Sequence, residues 1–213
     1  MAAVAAILIK CQGSAPVDAL AAGLRAVAVQ AKRAGWPVER IVAYAWESGT
    51  RPGPEVYAYL WLRAPRETQA QVLPAFALIV AGLPAQALAL ERVDERSGAS
   101  QGRSAPVHYV VETDVVAGME PEVYGWYDEE HMAGLAAVPG TVRAQRFTNL
   151  AGSPRLYACY DLESAATRDT PEWLAVRGTD WAARARPHFR NTKRTTFERL
   201  FDIAAAAPPR RGA

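Results

Sequence analysis

Hydrophobic residues in the first half of the chain follow two different periods. Four short segments, rich in β-branched and aromatic residues or alternating between apolar and polar positions, predict strands. These segments are residues 3–10, 41–47, 56–63 and 88–93. Between the first two, apolar residues recur every three or four positions from Val17 to Ala34, which predicts a helix that ends at Gly35. A second helix is predicted after Pro65, with an interruption at Pro74.

The second half of the chain repeats this order of elements. Its predicted strands cover 107–115, 142–148, 155–161 and 192–201, and its predicted helices cover 121–138 and 172–186. A polar segment between the halves, residues 94–106, contains Ser, Gly, Gln and Arg and almost nothing apolar, which predicts a linker. The last ten residues, 204–213, include Pro-Pro-Arg-Arg and predict a frayed tail.

Two consecutive β-α-β-β-α-β orders predict an α+β fold made of tandem ferredoxin-like units, 1–93 and 107–203. A four-stranded antiparallel sheet with helices on one face leaves its other face in need of a partner. We therefore predict that the two units pack sheet to sheet within one chain. The result would be an intramolecular pseudo-dimeric α/β barrel.

Charge and cysteine content narrow the functional classes. A formal net charge of +2 is too small to indicate binding to nucleic acid or to a membrane. The two cysteines, Cys11 and Cys159, fall in predicted strands, which predicts buried free thiols and a cytoplasmic protein. The apolar N-terminus lacks the basic region of a signal peptide and stops at Lys10, so we interpret it as the first strand.

One stretch of the second half carries a more specific pattern. Residues 123–140 read Val-Tyr-Gly-Trp-Tyr-Asp-Glu-Glu-His-Met-Ala-Gly-Leu-Ala-Ala-Val-Pro-Gly, followed by an Arg-bearing strand from Val142 and a Leu-Tyr-Ala-Cys-Tyr strand from Leu156. Over about 107 to 200 this pattern resembles the EthD-like group of the dimeric α/β-barrel superfamily. The first half lacks the aromatic, acidic and His-bearing helix, so we expect it to be degenerate and non-catalytic.

The resemblance implies a fold and a range of activities. Relatives include cofactor-free monooxygenases, polyketide cyclases, lactone isomerases, dehydratases and haem-binding enzymes, and a shared fold does not choose among them. Many members have no known activity. The choice therefore depends on the side chains that the second half could bring together.

His131 is the first candidate for chemistry. It shares a helical face with Tyr127 and Leu135, which predicts a buried ring beside a cavity of ligand size. Asp128, one turn earlier, could hold one ring nitrogen and leave the other free as acid or base. Burial and a nearby carboxylate shift the pKa of histidine in opposite directions, which predicts a value near neutrality. The structural alternative is a core histidine that simply satisfies its hydrogen bonds.

A second group of residues could bind substrate. Arg143 and Arg146 lie on one predicted strand with opposite parity, so at most one can face the cavity, where it could clamp a carboxylate or an enolate. Tyr124, Tyr157 and His108 could border the same cavity, with His108 near its rim. A basic run over residues 184–194 could attract anions, although such runs are usually solvated strand edges.

We expect a small cofactor-independent enzyme of isomerase, cyclase or lyase type, with His131, Asp128 and Tyr127 as catalytic residues. Its substrate would be an apolar carbonyl-bearing or aromatic small molecule, and the enzyme could form a homodimer. No metal site is expected, because His and Cys are not clustered at metal-ligand spacing. Two alternatives stay open: a non-catalytic binding or assembly protein, and a haem- or oxygen-dependent oxidoreductase with His131 as iron ligand.

Overall fold

The computed structural model describes residues 4–12, 15–36, 38–46, 54–63 and 83–204. These residues belong to two compact units. Unit 1 comprises Met1–Leu90 with Arg199–Ala213, and unit 2 comprises Glu91–Glu198. The predicted second helix of the first half, after Pro65, lies outside the described residues, as does the predicted tail from 205 onward.

Unit 1 follows the predicted order as far as it is described. Strands β1 and β3 are antiparallel neighbours, and β1 also pairs with β4 while β3 pairs with β2. The elements are β1 (Ala6–Gln12), α1 (Val17–Arg33), β2 (Val38–Trp46), β3 (Glu55–Leu62) and β4 (Ala85–Ser97). Helix α1 buries the face predicted from its period, formed by Leu20, Leu24, Val27 and Ala31.

Unit 2 contains four strands joined by three antiparallel pairings, together with several short helices. Strand β5 pairs antiparallel with β7 and β8, and β6 pairs with β7. The elements are β5 (Val107–Val115), α2 (Glu120–Trp126), a π-helical turn (Tyr127–His131), α3 (Met132–Ala136), β6 (Thr141–Asn149), β7 (Leu156–Leu162), a 3-10 turn (Ala165–Asp169), α4 (Pro171–Arg177), α5 (Asp180–Ala185), a second 3-10 turn (Arg186–His188) and β8 (Phe189–Ala204).

Two predicted boundaries were wrong. Strand β4 continues to Ser97, through the first residues of the predicted linker, because its polar side chains find partners; Glu95 accepts a hydrogen bond of 2.6 Å from Gln145. The helix predicted over 172–186 is divided into α4 and α5. Thr179 caps the second of these helices by accepting a hydrogen bond from the backbone N–H of Ala182.

Within unit 1 the hydrogen-bonded strand order is β4-β1-β3-β2, and within unit 2 it is β8-β5-β7-β6, with each of these pairings antiparallel. The predicted α+β fold class is therefore confirmed. Both cysteines are free and buried, as predicted, and burial raises the pKa of the Cys11 thiol to about 11. Among the helices that the structure describes, none has the length and hydropathy to cross a membrane.

Candidate active site

A π-helical turn places the central residues of the site. It spans Tyr127–His131 between α2 and α3, and the backbone N–H of Met132 donates to the carbonyl oxygen of Tyr127, five residues earlier. The wider turn aligns His131 with Trp126, and the two rings stack with centroids 4.0 Å apart. Tyr127 meets the same imidazole edge-on at 5.5 Å. Such turns within α-helices are frequent at functional sites.

These rings border a cavity of about 30 Å³, called the His131 cavity below. That volume has room for about two water molecules. The predicted cavity of ligand size is therefore not present, because large aromatic side chains fill most of the space between the helices and the sheet. The aromatic residues of the lining are Tyr109, Trp126, Tyr127, Tyr160, Trp173 and Phe189.

His131 is neutral at physiological pH. It is 8% exposed, and within the described residues its Nδ1 atom is buried without a hydrogen-bond partner. Burial lowers the pKa of His131 to about 3, and repulsion from Arg186 and Arg177 acts in the same direction. The predicted pKa near neutrality is thus wrong, because the favourable carboxylate that the prediction assumed lies elsewhere.

Asp128 pairs with Arg146 instead of His131. The guanidinium of Arg146 is almost completely buried and also lies over the rings of Tyr124 and Tyr127, at 5.4 and 5.5 Å from their centroids. A buried guanidinium needs a carboxylate more than a neutral imidazole does. Half of the Asp128 side chain is exposed to solvent.

Arg143 and Arg146 lie on opposite faces of the sheet, as their parity predicted. Arg143 donates to Asp161 at 2.6 and 2.9 Å, and the other carboxylate oxygen of Asp161 lies 2.7 Å from Nδ1 of His108. These contacts hold the pKa of Asp161 well below its usual value despite burial. His108 is buried within this network, and not at the rim of the His131 cavity.

Of the predicted site residues, only His131 and Tyr127 line the His131 cavity. Tyr157 alternates with Tyr160 along β7, so its side chain points to the face that bears Asp161. The remaining predicted residues, Asp128, Arg143, Arg146, Tyr124 and His108, make the contacts described above and are not part of the lining. We find no group of three His, Cys, Asp or Glu side chains suited to a metal ion in the described ranges.

Three arginines complete the lining, and we call them the arginine trio: Arg177, Arg186 and Arg194. Within the described residues, none of them pairs with a carboxylate. Arg186 donates to the backbone carbonyl oxygens of Ala182, at 3.2 Å, and of Arg177. Two of the trio belong to the basic run seen in the sequence. Arg177 was missed, although it follows the buried Trp173 by one helical turn.

Comparisons with solved structures support the fold. A putative monooxygenase from Fusobacterium nucleatum subsp. nucleatum superposes with a TM-score of 0.63 at 10% identity, covering 96% of each chain. An anthrone oxidase-like protein gives 0.59 at 13% identity, covering 96% of this chain and 94% of its own. A chlorite dismutase from Candidatus Nitrospira defluvii gives 0.56 at 13% identity, covering 92% of both.

The chain shares its overall fold with these three proteins. No protein-family model matches the sequence, and no curated protein matches it. At 10 to 13% identity the similarity concerns the fold. The chemistry must therefore be argued from the side chains of this chain.

Proposed function

We propose that unit 2 is a small-molecule enzyme in which His131 takes a proton from a carbonyl-bearing or aromatic substrate. The observation that carries this proposal is a neutral, buried imidazole, with one unpaired ring nitrogen, beside a cavity that three arginines also line. A neutral imidazole has a lone pair that can accept a proton. Asp128 has no direct contact with His131, so the part proposed for it is indirect, through Arg146 and Tyr127.

The proposed step breaks a C–H or O–H bond of the substrate. The proton moves to a ring nitrogen of His131, and the electron pair stays on the substrate as an enolate or phenolate. In the free protein a pKa of about 3 makes His131 a weak base. A substrate anion formed beside the ring favours the imidazolium, and the arginine trio stabilises the same anion. In an isomerisation the imidazolium returns the proton to a different carbon of the enolate. In a cyclisation the enolate carbon attacks a carbonyl group of the same molecule, and the proton goes to the alkoxide that forms. In an elimination the electron pair expels a neighbouring hydroxyl group, which takes the proton and leaves as water.

Oxidation by dioxygen is the second candidate. A cavity of about 30 Å³ between aromatic rings is large enough for a diatomic molecule. Two structural neighbours are named a putative monooxygenase and an anthrone oxidase-like protein. In this reaction the substrate anion itself reduces dioxygen. One oxygen atom enters the product as a carbonyl group, and the other leaves as water with the two hydrogens of the substrate CH₂ group.

Haem does not fit the His131 cavity. A neutral imidazole with a free nitrogen is a suitable iron ligand, but Trp126 covers the ring at 4.0 Å and the cavity holds about 30 Å³. A macrocycle would need several aromatic side chains of the unit 2 core to move. We therefore derive no step through haem.

Three wider assignments belong to the same proposal. We assign the chain to the EthD-like group on the pattern of residues 123–140, and catalysis to residues 107–203, with 1–93 non-catalytic. Two free buried thiols support the cytoplasm as its compartment. A homodimer is the oligomeric state we propose, to be checked by sedimentation.

Proton abstraction can be tested without knowing the product. The protein is incubated in D₂O with anthrone, aryl ketones and 1,3-diketones, and loss of the acidic C–H signal is followed by NMR. We expect catalysed exchange, and a fall of about 100-fold or more in His131→Asn, which keeps hydrogen bonding but accepts no proton. His188→Asn is the matched control, because His188 does not line the cavity.

The outcomes separate the candidates. Exchange with dioxygen consumption supports oxidation, and exchange without it supports an isomerase, cyclase or lyase. Exchange that survives in His131→Asn would remove His131 from the chemistry. Absence of exchange with the whole panel, together with tight binding of a panel member, would favour a non-catalytic binding protein.

A further inference from the structure

We infer that the His131 cavity binds the carboxylate group of its ligand, held by the arginine trio. This rests on the proposed function only in using the same cavity, and it names the class of substrate: a carbonyl-bearing or aromatic carboxylate. The three guanidinium groups come from three different elements, the end of α4, the 3-10 turn after α5 and strand β8. Their convergence on one cavity is a property of the tertiary structure.

Three other arginines in the interior of unit 2 have partners for their guanidinium groups within the chain. Arg143 is paired with Asp161, and Arg146 with Asp128. Arg168 donates to Thr196 and lies over the ring of Tyr109, 4.0 Å from its centroid. The arginine trio has no carboxylate partner within the described residues, although Arg177 and Arg186 are half-buried beside the cavity and only Arg194 is exposed. An anion from outside the chain would supply the missing charge.

Two buried groups of the lining also lack partners in the described structure. They are Nδ1 of His131, whose residue is 8% exposed, and the indole N–H of Trp173, whose residue is fully buried. Nearly all buried polar atoms in proteins are hydrogen-bonded, so an unpaired atom beside a cavity indicates a bound water or ligand. A carboxylate has two oxygens that can accept from an indole N–H and from guanidinium groups.

The size of the cavity agrees with a carboxylate. About 30 Å³ has room for three heavy atoms and not for a metabolite. Arg194 is exposed, so the lining reaches the surface of unit 2. The carboxylate would therefore occupy the cavity, and the apolar body of the ligand would extend outward past the aromatic lining. This geometry places the carbon next to the carboxylate close to His131.

Binding is tested on the full chain with benzoate, formate and benzamide at constant ionic strength in chloride. The readout is the indole ¹⁵N–H NMR signal of Trp173. We expect saturable shifts with benzoate and formate and none with neutral benzamide. Arg186→Gln should weaken benzoate binding about tenfold or more, because a charge-assisted hydrogen bond is lost. Arg177→Gln provides a second variant, since the Arg177 side chain makes no hydrogen bond in the described structure.

Arg184→Gln is the matched control. Arg184 is exposed, pairs with Glu122 at 3.5 Å and lies two residues from Arg186 outside the lining. Its removal should leave benzoate affinity unchanged. Tighter binding of benzoate than of formate would assign an organic carboxylate as the ligand, and equal binding would assign a free small anion. No saturable shift, or shifts that persist in both Arg186→Gln and Arg177→Gln, would overturn the inference.

The binding result is independent of the proton-transfer proposal. Exchange is measured in His131→Asn, and benzoate binding is measured separately in Arg186→Gln and Arg177→Gln. Binding without any effect of His131 on exchange would reject the proposed function alone. Exchange without carboxylate binding would reject the present inference alone.

Discussion

Within each unit a helical face packs against the strands, and the side chains of that face differ between the two units. Helix α1 presents only aliphatic residues, and they are fully enclosed. The corresponding helical segment of unit 2 presents Trp126 from the last position of α2 and Tyr127 and His131 from the π-helical turn. An aliphatic face is sufficient for stability. The aromatic and imidazole groups are the difference between the two units on which the proposed function of unit 2 depends.

The larger of the two cavities described here lies in unit 1, but the unsatisfied polar groups lie in the smaller cavity of unit 2. A cavity of unit 1 beside helix α1 measures about 190 Å³ and is lined mainly by aliphatic side chains. Its two arginines are engaged: Arg25 lies over the ring of Phe201 at 4.2 Å, and Arg40 donates to Asp202 at 2.7 Å. Within the part of the chain that the structure describes, the smaller His131 cavity combines an unpaired imidazole nitrogen with three arginines that lack carboxylate partners. Unsatisfied polar groups, and not volume, distinguish the candidate site.

The largest effect is expected from removing one buried side chain in each unit and comparing the free energy of unfolding with the pKa of His131. Trp173→Ala should lower the free energy of unfolding by about 3–5 kcal/mol, because a fully buried indole is removed. Leu24→Ala in unit 1 should cost about 2–5 kcal/mol for the same reason. Urea unfolding measures both. Only Trp173→Ala should also raise the pKa of His131, because water enters the cavity.

Leu174→Ala is the control for this prediction, since Leu174 is 50% exposed and adjacent to Trp173 in the chain. It should change stability by less than about 0.5 kcal/mol. If Leu24→Ala altered the His131 pKa as much as Trp173→Ala did, the contrast between the units would be lost.

A smaller effect is expected on how the free energy of unfolding depends on pH. The pKa of His131 is 6.5 in an unfolded chain and about 3 when folded, so between these values the unfolded state binds more protons. The stability that a neutral His131 contributes is therefore present above pH 6.5 and decreases as the pH falls. Between pH 7 and pH 5 this loss should be about 2 kcal/mol.

His131→Asn should lack this part of the acid sensitivity, which urea unfolding at the two pH values would measure as a difference from the unmodified protein. Burial raises the pKa values of Tyr127 and Tyr160, which face His131, so neither phenol ionises in this interval. An equal loss of stability in both proteins would show that folding does not lower the pKa of His131.

The fold could be predicted because its signals are local. Each predicted strand and helix has its own hydrophobic period, and the order in which these elements follow one another predicted the α+β fold class. The extension of β4 to Ser97 had no such signal, because its polar residues depend on partners such as Gln145 from a distant part of the chain.

The site could be predicted only in part, for a related reason. The positions of Tyr127 and His131 follow from helical spacing, and the structure confirms that both line one cavity. The partner of Asp128 could not be predicted from helical spacing, because Arg146 lies on a strand 18 residues away and takes the carboxylate that was predicted to bind His131. The π-helical turn has no recognised sequence pattern, and its effect is to stack His131 on Trp126.

The ring of His131 provides the most direct test of the whole account. An NMR titration of ¹⁵N-labelled histidine, assigned with His131→Asn, would follow its protonation from pH 8 to the acid limit of folding. We expect a neutral ring down to at least pH 5, consistent with a pKa of about 3, and an upward shift of that pKa when benzoate is bound. Titration near 6.5 in the free protein, unchanged by benzoate, would show a solvated histidine and would rule out a buried neutral base at this position.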